Sequence, residues 1–187
     1  MLDVLDIAPL IEADRMVLRP PRRRDAGLIA LYLSDARAAR SLALIPHPYP
    51  PGAAEQMIER ALEGKRSGPL YVMDATPSDG PEMIGLVFLN KEPEEGVFQV
   101  SYVVGPAFRN TGYATEAVQA VRDHLFEAGA RALTAKVYQD NDTSAHVLTR
   151  AGFDYIGEGE AYSAARGAVA PTWRYRLERD GWSARNS

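Results

Sequence analysis

Arg109, Asn110, Thr111 and Gly112 stand together where an apolar stretch at 97–104 gives way to helical periodicity from Tyr113 onward. The first amides of a helix lack intrahelical acceptors and carry the positive end of its dipole, so such a junction can hold an anion. Gly112 and Ala114 are small enough to let a ligand approach the backbone, and Arg109 adds a full charge. The hydroxyls of Thr111 and Thr115 can donate as well. The grouping suits a pyrophosphate. The competing reading is that Gly112 only permits a tight turn, and spacing alone does not choose between the two. GxxxxGK[ST] is absent, and so is GxGxxG after a first strand, which argues against a P-loop nucleotidase and a dinucleotide fold.

Other side chains with chemical capacity are scattered. His47 and Tyr49 sit in "IPHPYPPG" (45–52), whose four prolines forbid a helix or a central strand and leave a stiff loop. Tyr32, Tyr49, Tyr102 and Trp173 read either as core aromatics or as the lining of a pocket. His124 and His146 fall on helix faces and read as surface residues. The acidic turn at 92–95 is either a solvated hairpin tip or an attractor for a cation. Three consecutive arginines at 22–24 read as a solvated loop.

The elements that must position these residues follow from periodicity. Alternation at 15–19 gives an opening strand. Asp25 is placed to cap a helix carrying Leu28, Ile29 and Leu31, and Asp35 to cap a short one after it. A helix over 53–62 ends near Gly64. Strands at 70–75, 83–89 and 97–104, joined by short connections rich in Pro, Gly and acids, predict an antiparallel meander. Phe98, Val100, Tyr102 and Val104 share a face. A helix from 113 to 128 buries Ala114, Ala117, Val118, Val121 and Leu125, and Gly129 ends it. A strand at 132–137 must then return parallel to 97–104. A helix at 143–151 precedes closing strands at 153–159 and 172–177. The fold class is α+β, a mixed sheet covered by helices.

Composition bounds the rest. The 187 residues are 46% apolar and 25% charged, as expected for one globular domain over 1–187. A net charge of −4, from 21 basic and 25 acidic residues, disfavours a nucleic-acid partner. The absence of cysteine excludes disulfides, thiolate metal sites and a cysteine-bound acyl intermediate. No metal site is expected. The acidic N-terminus and the lack of a long apolar run predict neither signal peptide nor membrane partner, with the cytoplasm as the expected location. Apolar strand edges leave a homodimer open.

The pattern Arg109-x-x-Gly112-x-Ala114, between strand and helix, resembles the R/Q-x-x-G-x-G/A motif of the GCN5-related N-acetyltransferases. In that family it binds the pyrophosphate of acetyl-coenzyme A. Asn141-x-x-Ser144-x-x-Val147-Leu148-x-Arg150-x-Gly152-Phe153 is similar to the second cofactor segment of the RimJ/RimL-like branch, as are "LRP" at 18–20 and "IPHPYP" at 45–50. The resemblance runs from about residue 13 to 178. It implies a mostly antiparallel sheet of six or seven strands, splayed between the fourth strand (97–104) and the fifth (132–137). The pantetheine arm would enter there, paired with the backbone around Tyr102, Val103 and Val104, with Asn141 on the other side. Residues Arg109, Asn110, Thr111, Gly112, Tyr113, Ala114 and Thr115 would hold the diphosphate.

Three departures from that pattern bear on the chemistry. The loop often reads R-G-x-G with a basic third residue, where this chain has Asn110 and Thr111; asparagine tolerates left-handed backbone well enough to keep the turn. Leu148 occupies the place of a tyrosine acid found in many relatives, which leaves Ser144 to hydrogen-bond the sulfur, a thiol of pKa about 8.5 being a fair leaving group. Tyr102 is the second catalytic candidate. Gln99 stands where related enzymes carry a glutamate base. An α-amine of pKa near 7.8 is roughly 14% neutral at pH 7, against about 0.04% for lysine, so an N-terminal amine needs far less help from a base. His47, Tyr49, Gln99 and Trp173 are the candidates for contacting the acceptor, a small-molecule amine or a protein N-terminus, with His47 also open as the base or as simple loop packing. The implied activity is acetyl-coenzyme A-dependent N-acetylation by direct transfer in a ternary complex. The alternative is a catalytically weak acyl-coenzyme A binder acting as a sensor or interaction domain.

Overall fold

A computed structural model describes residues 10–186, so the expectations for the first nine residues lie outside it. The strands are β1 (Ile11–Glu12), β2 (Val17–Arg19), β3 (Leu70–Asp74), β4 (Gly85–Lys91), β5 (Val97–Val104), β6 (Ala132–Tyr138), β7 (Asp154–Ser163) and β8 (Ala168–Glu178). The helices are α1 (Ala26–Leu33), α2 (Ala36–Ser41), α3 (Ala53–Leu62), α4 (Tyr113–Glu127), α5 (Asp142–Arg150) and α6 (Arg179–Asn186). All eight strands join one sheet, in the order β1-β2-β3-β4-β5-β6-β8-β7. The sheet is antiparallel except for β5 and β6, as the helix between them demands. The eighth strand, beyond the six or seven expected, is the two-residue β1, too short to show a period.

Alternation along β5 splits the core between the two faces of the sheet. Phe98 and Val100 pack with Val118, Val121, Leu125 and Phe126 of α4 and Leu148 of α5. Val103 points the other way, onto Ile29 and Leu33 of α1 and Ile58 of α3. Of the apolar residues on α1, Ile29 is buried while Leu28 and Leu31 are exposed, because the helix buries only one narrow stripe.

The splay is visible in the register. β5 and β6 pair at Val97↔Ala132, Phe98↔Leu133 and Gln99↔Thr134, and no further. Beyond Gln99, β5 stays with β4 as far as Gly85↔Val104, while β6 stays with β8 as far as Tyr138↔Thr172. The two halves of the sheet therefore part like a fork, and its prongs carry the residues singled out above.

One side of this frame is fixed by a buried ionic knot. Arg19, only 3% exposed, donates from Nε to Asp74 (2.6 Å), from Nη1 and Nη2 to the two oxygens of Asp25 (2.8 and 3.1 Å), and to the carbonyls of Pro20 and Glu82 (3.2 and 3.1 Å). All five guanidinium donors are used. Asp25 thus does not cap α1 with its side chain: the carboxylate turns back to Arg19 and to the Arg22 N–H (2.6 Å), closing a short 3-10 turn instead. Burial pushes the carboxyl of Asp25 upward, but the hydrogen bonds from Arg19 and Arg22 outweigh it and hold its pKa below the ordinary value. Asp74 is likewise held low: its burial is outweighed by Thr76 and Arg19. Asp35 does cap α2, accepting from Ala38 N–H at 2.9 Å.

Candidate functional site

The loop at 109–112 leaves β5 through a 3-10 turn (Pro106–Phe108) and enters α4 at Gly112. Asn110 (φ +60°) and Gly112 (φ +82°) both adopt left-handed backbone, one residue apart. Glycine does so without strain and asparagine better than most residues. Left-handed residues in such a turn can bring neighbouring N–H groups toward a common side, a known anion-binding geometry. Among the described residues, no backbone N–H from 109 to 115 donates to a protein acceptor; the first helical bond of α4 is Glu116 N–H to the Gly112 carbonyl.

Those amides border a cavity of about 470 Å³ at the fork of the sheet. Its walls are the end of β5 (Tyr102, Val103, Val104), the whole segment Arg109, Asn110, Thr111, Gly112, Tyr113, Ala114 and Thr115, and α5 from Asn141 through Ser144. The fold therefore brings together every residue expected to contact the carrier, and both catalytic candidates. Arg37, Ala38 and Ser41 of α2 add a wall that periodicity could not place.

The ladder decides which backbone groups of β5 are available. Gly105 N–H donates to the Ile84 carbonyl on the β4 side (2.8 Å), and β4–β5 keeps an unbroken register from Gly85↔Val104 to Lys91↔Phe98. Backbone polar groups alternate sides along a strand. Val103 accordingly faces β4, and Tyr102 and Val104 present their N–H and C=O to the open side of the fork.

Across the gap, Asn141 caps α5. Its carboxamide oxygen accepts from Ser144 N–H (3.2 Å), and its NH₂ donates to Ser144 Oγ (3.0 Å). Ser144 Oγ is thus an acceptor here and keeps its own hydrogen to donate. The Tyr102 hydroxyl donates to the Ser144 carbonyl at 3.1 Å. Burial pushes the Tyr102 pKa well above the ordinary phenol value, so it stays protonated and tied to α5.

Two arginines behave in ways the sequence did not reveal. Arg109 is not a free cation beside the loop: its Nη2 pairs with Asp35, the cap of α2, at 2.5 Å. Burial pushes the Asp35 carboxyl up, but the Arg109 hydrogen bond and the Ala38 amide bring its pKa below normal. Arg15, in the turn between β1 and β2, donates from Nη1 to the Thr111 carbonyl (3.1 Å) and from Nε to Glu116 (2.7 Å). The Thr111 hydroxyl donates to the Phe108 carbonyl. Sequence spacing carried no signal for either pairing, since each joins segments distant along the chain.

The four acceptor-contact candidates are not assembled around this cavity. His47 is exposed in its proline-rich loop. Tyr49 packs against the α1–α3 core with its hydroxyl buried and without a hydrogen-bond partner, and burial, with a contribution from Glu55, pushes its pKa up to about 12. Gln99 sits at the root of the fork, in register with Thr134. Trp173 lines a neighbouring hollow of about 340 Å³ with Ala145, Tyr155, Tyr175, Asp142 and His146, the last two of which also border the cavity at the fork. Tyr32 is a core aromatic bonded to the Met83 carbonyl (2.9 Å), and its ring lies so close under Gly105 that an added Cβ would approach within 2.7 Å. In the acidic turn Glu94 is paired with Arg131 and Arg176.

A sheet forked beside a parallel pair, with bare amides at the helix that follows, is the architecture of the acyl-coenzyme A N-acyltransferases. The family model for the acetyltransferase (GNAT) domain matches residues 15–154, and the chain belongs to this family and is an N-acetyltransferase by class. It is 27% identical over 169 residues to the uncharacterized N-acetyltransferase p20 of Bacillus licheniformis, covering 88% of this chain and 93% of that protein. The fold is similar to that of RimL, the ribosomal L7/L12 alpha-N-protein acetyltransferase, solved with coenzyme A (TM-score 0.77, 18% identity, 92% of this chain and 99% of that one). It is also similar to that of Mycobacterium smegmatis RimJ, solved with a coenzyme A disulfide (TM-score 0.76, 19% identity, 95% and 94%). No helix among the described residues is long and apolar enough to cross a membrane.

Proposed function

We propose that the chain transfers the acetyl group of acetyl-coenzyme A directly to a primary amine bound beside it. The observation that carries this reading is the run of unanswered amides from 109 to 115 opening on the fork between β5 and β6. The residues fit the carrier in two further respects. Gly112 adds no side chain at a left-handed position, where a Cβ would come within 3.3 Å of the Arg15 guanidinium. The outward N–H and C=O groups of Tyr102 and Val104 need partners of the kind amide groups of a pantetheine arm offer.

The carrier supplies an activated acetyl thioester, and this chain's residues do the rest. The amides of Asn110 through Ala114 bind the diphosphate. Tyr102 and Val104 hold the arm as an added strand, and the Val104 N–H faces the carbonyl oxygen as charge develops there. Ser144 donates its free hydrogen to the sulfur, while Asn141 fixes the direction of that hydroxyl. A C–N bond forms and the C–S bond breaks; the amine loses a proton and the departing sulfur gains one.

Gln99 cannot accept the amine proton as a carboxylate would. That favours acceptors already partly neutral near pH 7, and α-amines therefore precede lysine side chains as candidates. RimL, a fold neighbour, is named for α-N acetylation of a ribosomal protein, which agrees with this order.

The test is free-thiol release from acetyl-coenzyme A across a panel of N-terminal peptides, small amines and amino sugars, with binding measured in parallel by calorimetry. Acceptor-dependent thiol release supports the transferase. Tight binding without release from any amine would favour the alternative, a sensor that holds the carrier without turning it over. Absence of binding to any coenzyme A ester would end both.

A further inference from the structure

Arg15 grips the loop at 109–112 from behind, at several points at once. Its Nη1 donates to the Thr111 carbonyl (3.1 Å), and its Nε and backbone N–H donate to the Glu116 carboxylate (2.7 and 2.6 Å). Its guanidinium lies over the Tyr113 ring, 4.2 Å from the ring centre. Its Nη2 stands 3.3 Å from where a Cβ on Gly112 would be.

A peptide unit is planar and trans, so its C=O and N–H point in opposite directions. The Thr111 C=O and the Gly112 N–H belong to one such unit. With the carbonyl drawn outward to Arg15, the Gly112 N–H is turned the other way, and Gly112 lines the cavity. Nothing intrinsic to the loop enforces this. Glycine accepts both signs of φ, so the 111–112 unit could turn over at small cost if its carbonyl were released. Turned over, it would present a carbonyl oxygen to the anion in place of an N–H.

Charge does not explain the arrangement. Arg15 is paired with Glu116, so the two nearly cancel at a distance, and Arg15 itself stands outside the lining of the cavity. What it contributes is direction. Glu116 sets the fork of the guanidinium, the Tyr113 face steadies its plane, and Nη1 reaches the Thr111 carbonyl.

We infer that Arg15 is a positioning residue for carrier binding: it locks the 111–112 peptide so that the Gly112 amide faces the diphosphate. This rests on the reading of the loop as the diphosphate site. Arg15 acts through the loop, without touching the ligand.

Two variants and two measurements decide it. Arg15→Met removes the donors and keeps much of the stem; Arg15→Lys keeps the charge but lacks the planar fork that serves Glu116 and Thr111 together. Coenzyme A affinity is measured by calorimetry, and amide order parameters at 110–113 by NMR on the ligand-free protein, with β4 amides as the reference for intact folding. Arg15→Met is expected to bind coenzyme A about tenfold more weakly, the size of one lost charge-assisted hydrogen bond. KM for acetyl-coenzyme A should rise by the same factor, with kcat at saturation unchanged. Order parameters at Gly112 should fall from about 0.85 to below about 0.6 while those of β4 hold. Arg15→Lys should resemble Arg15→Met. Unchanged affinity and order parameters in Arg15→Met would overturn the inference, and so would full recovery by lysine, which would make the effect one of charge. If the unaltered protein binds no coenzyme A, the functional reading fails separately. The order parameters still decide then: a drop at Gly112 supports the lock, and no drop refutes it.

Discussion

Two arginine-centred clusters sit at the ends of strands in this protein and end up with opposite characters. At β2, Arg19 spends all five donors on Asp25, Asp74 and two carbonyls, and the carboxylates fill their remaining positions with the Arg22 and Thr76 amides. At the end of β5, in the loop from 109 to 112, Arg15 holds the Thr111 carbonyl, the Thr111 hydroxyl bonds the Phe108 carbonyl and the Arg109 side chain pairs with Asp35, while the loop amides are left without acceptors. The first cluster is closed and buried, as burial requires of polar groups. The second is equally well braced on its outer side and open on the inner one. Rigidity is common to both, and the difference lies in which donors were left over. A polar cluster with nothing left over holds the fold, and one with a row of spare amides facing a cavity awaits a guest.

The contrast can be broken most forcefully at the closed cluster. Arg19→Met leaves two buried carboxylates without a cation and is expected to cost about 3–5 kcal/mol, a fall in Tm of roughly 10 °C in a chain of this size. Carrier affinity of the fraction still folded should be unchanged. Thermal unfolding and calorimetry together check both halves; a loss of affinity equal to the loss of stability would mean the clusters are not independent.

Gly112→Asp acts on the open cluster and should do the reverse. A side chain at this left-handed position strains the loop, and its Cβ would lie 3.3 Å from Arg15, so an aspartate there draws the guanidinium from the Thr111 carbonyl and adds negative charge beside the amides; coenzyme A binding is expected to weaken by at least about a hundredfold. Its Tm should fall much less than that of Arg19→Met. Unimpaired binding by this variant would remove the loop from the site.

Acid sharpens the same distinction. Asp25 and Asp74 have folded pKa values below their unfolded ones, so their stabilisation is present above about pH 4 and is lost as pH falls through the folded values. The Tm should be level from about pH 7 to 5 and drop below about 4. In Arg19→Met the sign reverses: unpaired buried carboxylates resist ionisation, and Tm should rise on acidification from pH 7 toward 5. A parallel pair of curves would refute the assignment.

The smallest effect is expected at Ser144→Ala, which should lower kcat about tenfold by removing one hydrogen bond to the leaving sulfur, with carrier affinity within a factor of about two. Equal losses in both would make Ser144 a binding contact rather than part of the chemistry.

Local periodicity was a good guide where an element's pattern is its own. The strand at 97–104 and the helix beginning at Tyr113 fall on β5 and α4, and Asp35 caps α2 as its position suggested. The short β1 and the terminal α6 escaped notice, the first for want of length and the second for want of an apolar stripe. The closing strands proved longer than expected; along the middle of β7 exposure alternates, but between charged and small residues with no apolar signal to read. That β8 slots between β6 and β7 is a matter of pairing partners, which no single strand's pattern records. The same holds for the site. The residues along 102–115 and 141–144, expected from a family resemblance carried by short motifs within each segment, line one cavity. The roles of Arg15 and of Asp35 opposite Arg109 were not legible, because each depends on a partner far along the chain. Asp25 misled for a related reason: its local position suits a cap, and a distant arginine took its carboxylate instead.

The fork in the sheet has a consequence for what else can reach it. A bare strand edge ordinarily invites any extended polypeptide to join it, which is how sheets aggregate. Here the exposed side of β5 beyond Gln99 lies at the bottom of a cleft walled by α2 and by the first turns of α4 and α5. A second protein strand would have to bring its side chains past those helices to reach the edge, so the walls that frame the cleft also guard the molecule against pairing with its own neighbours.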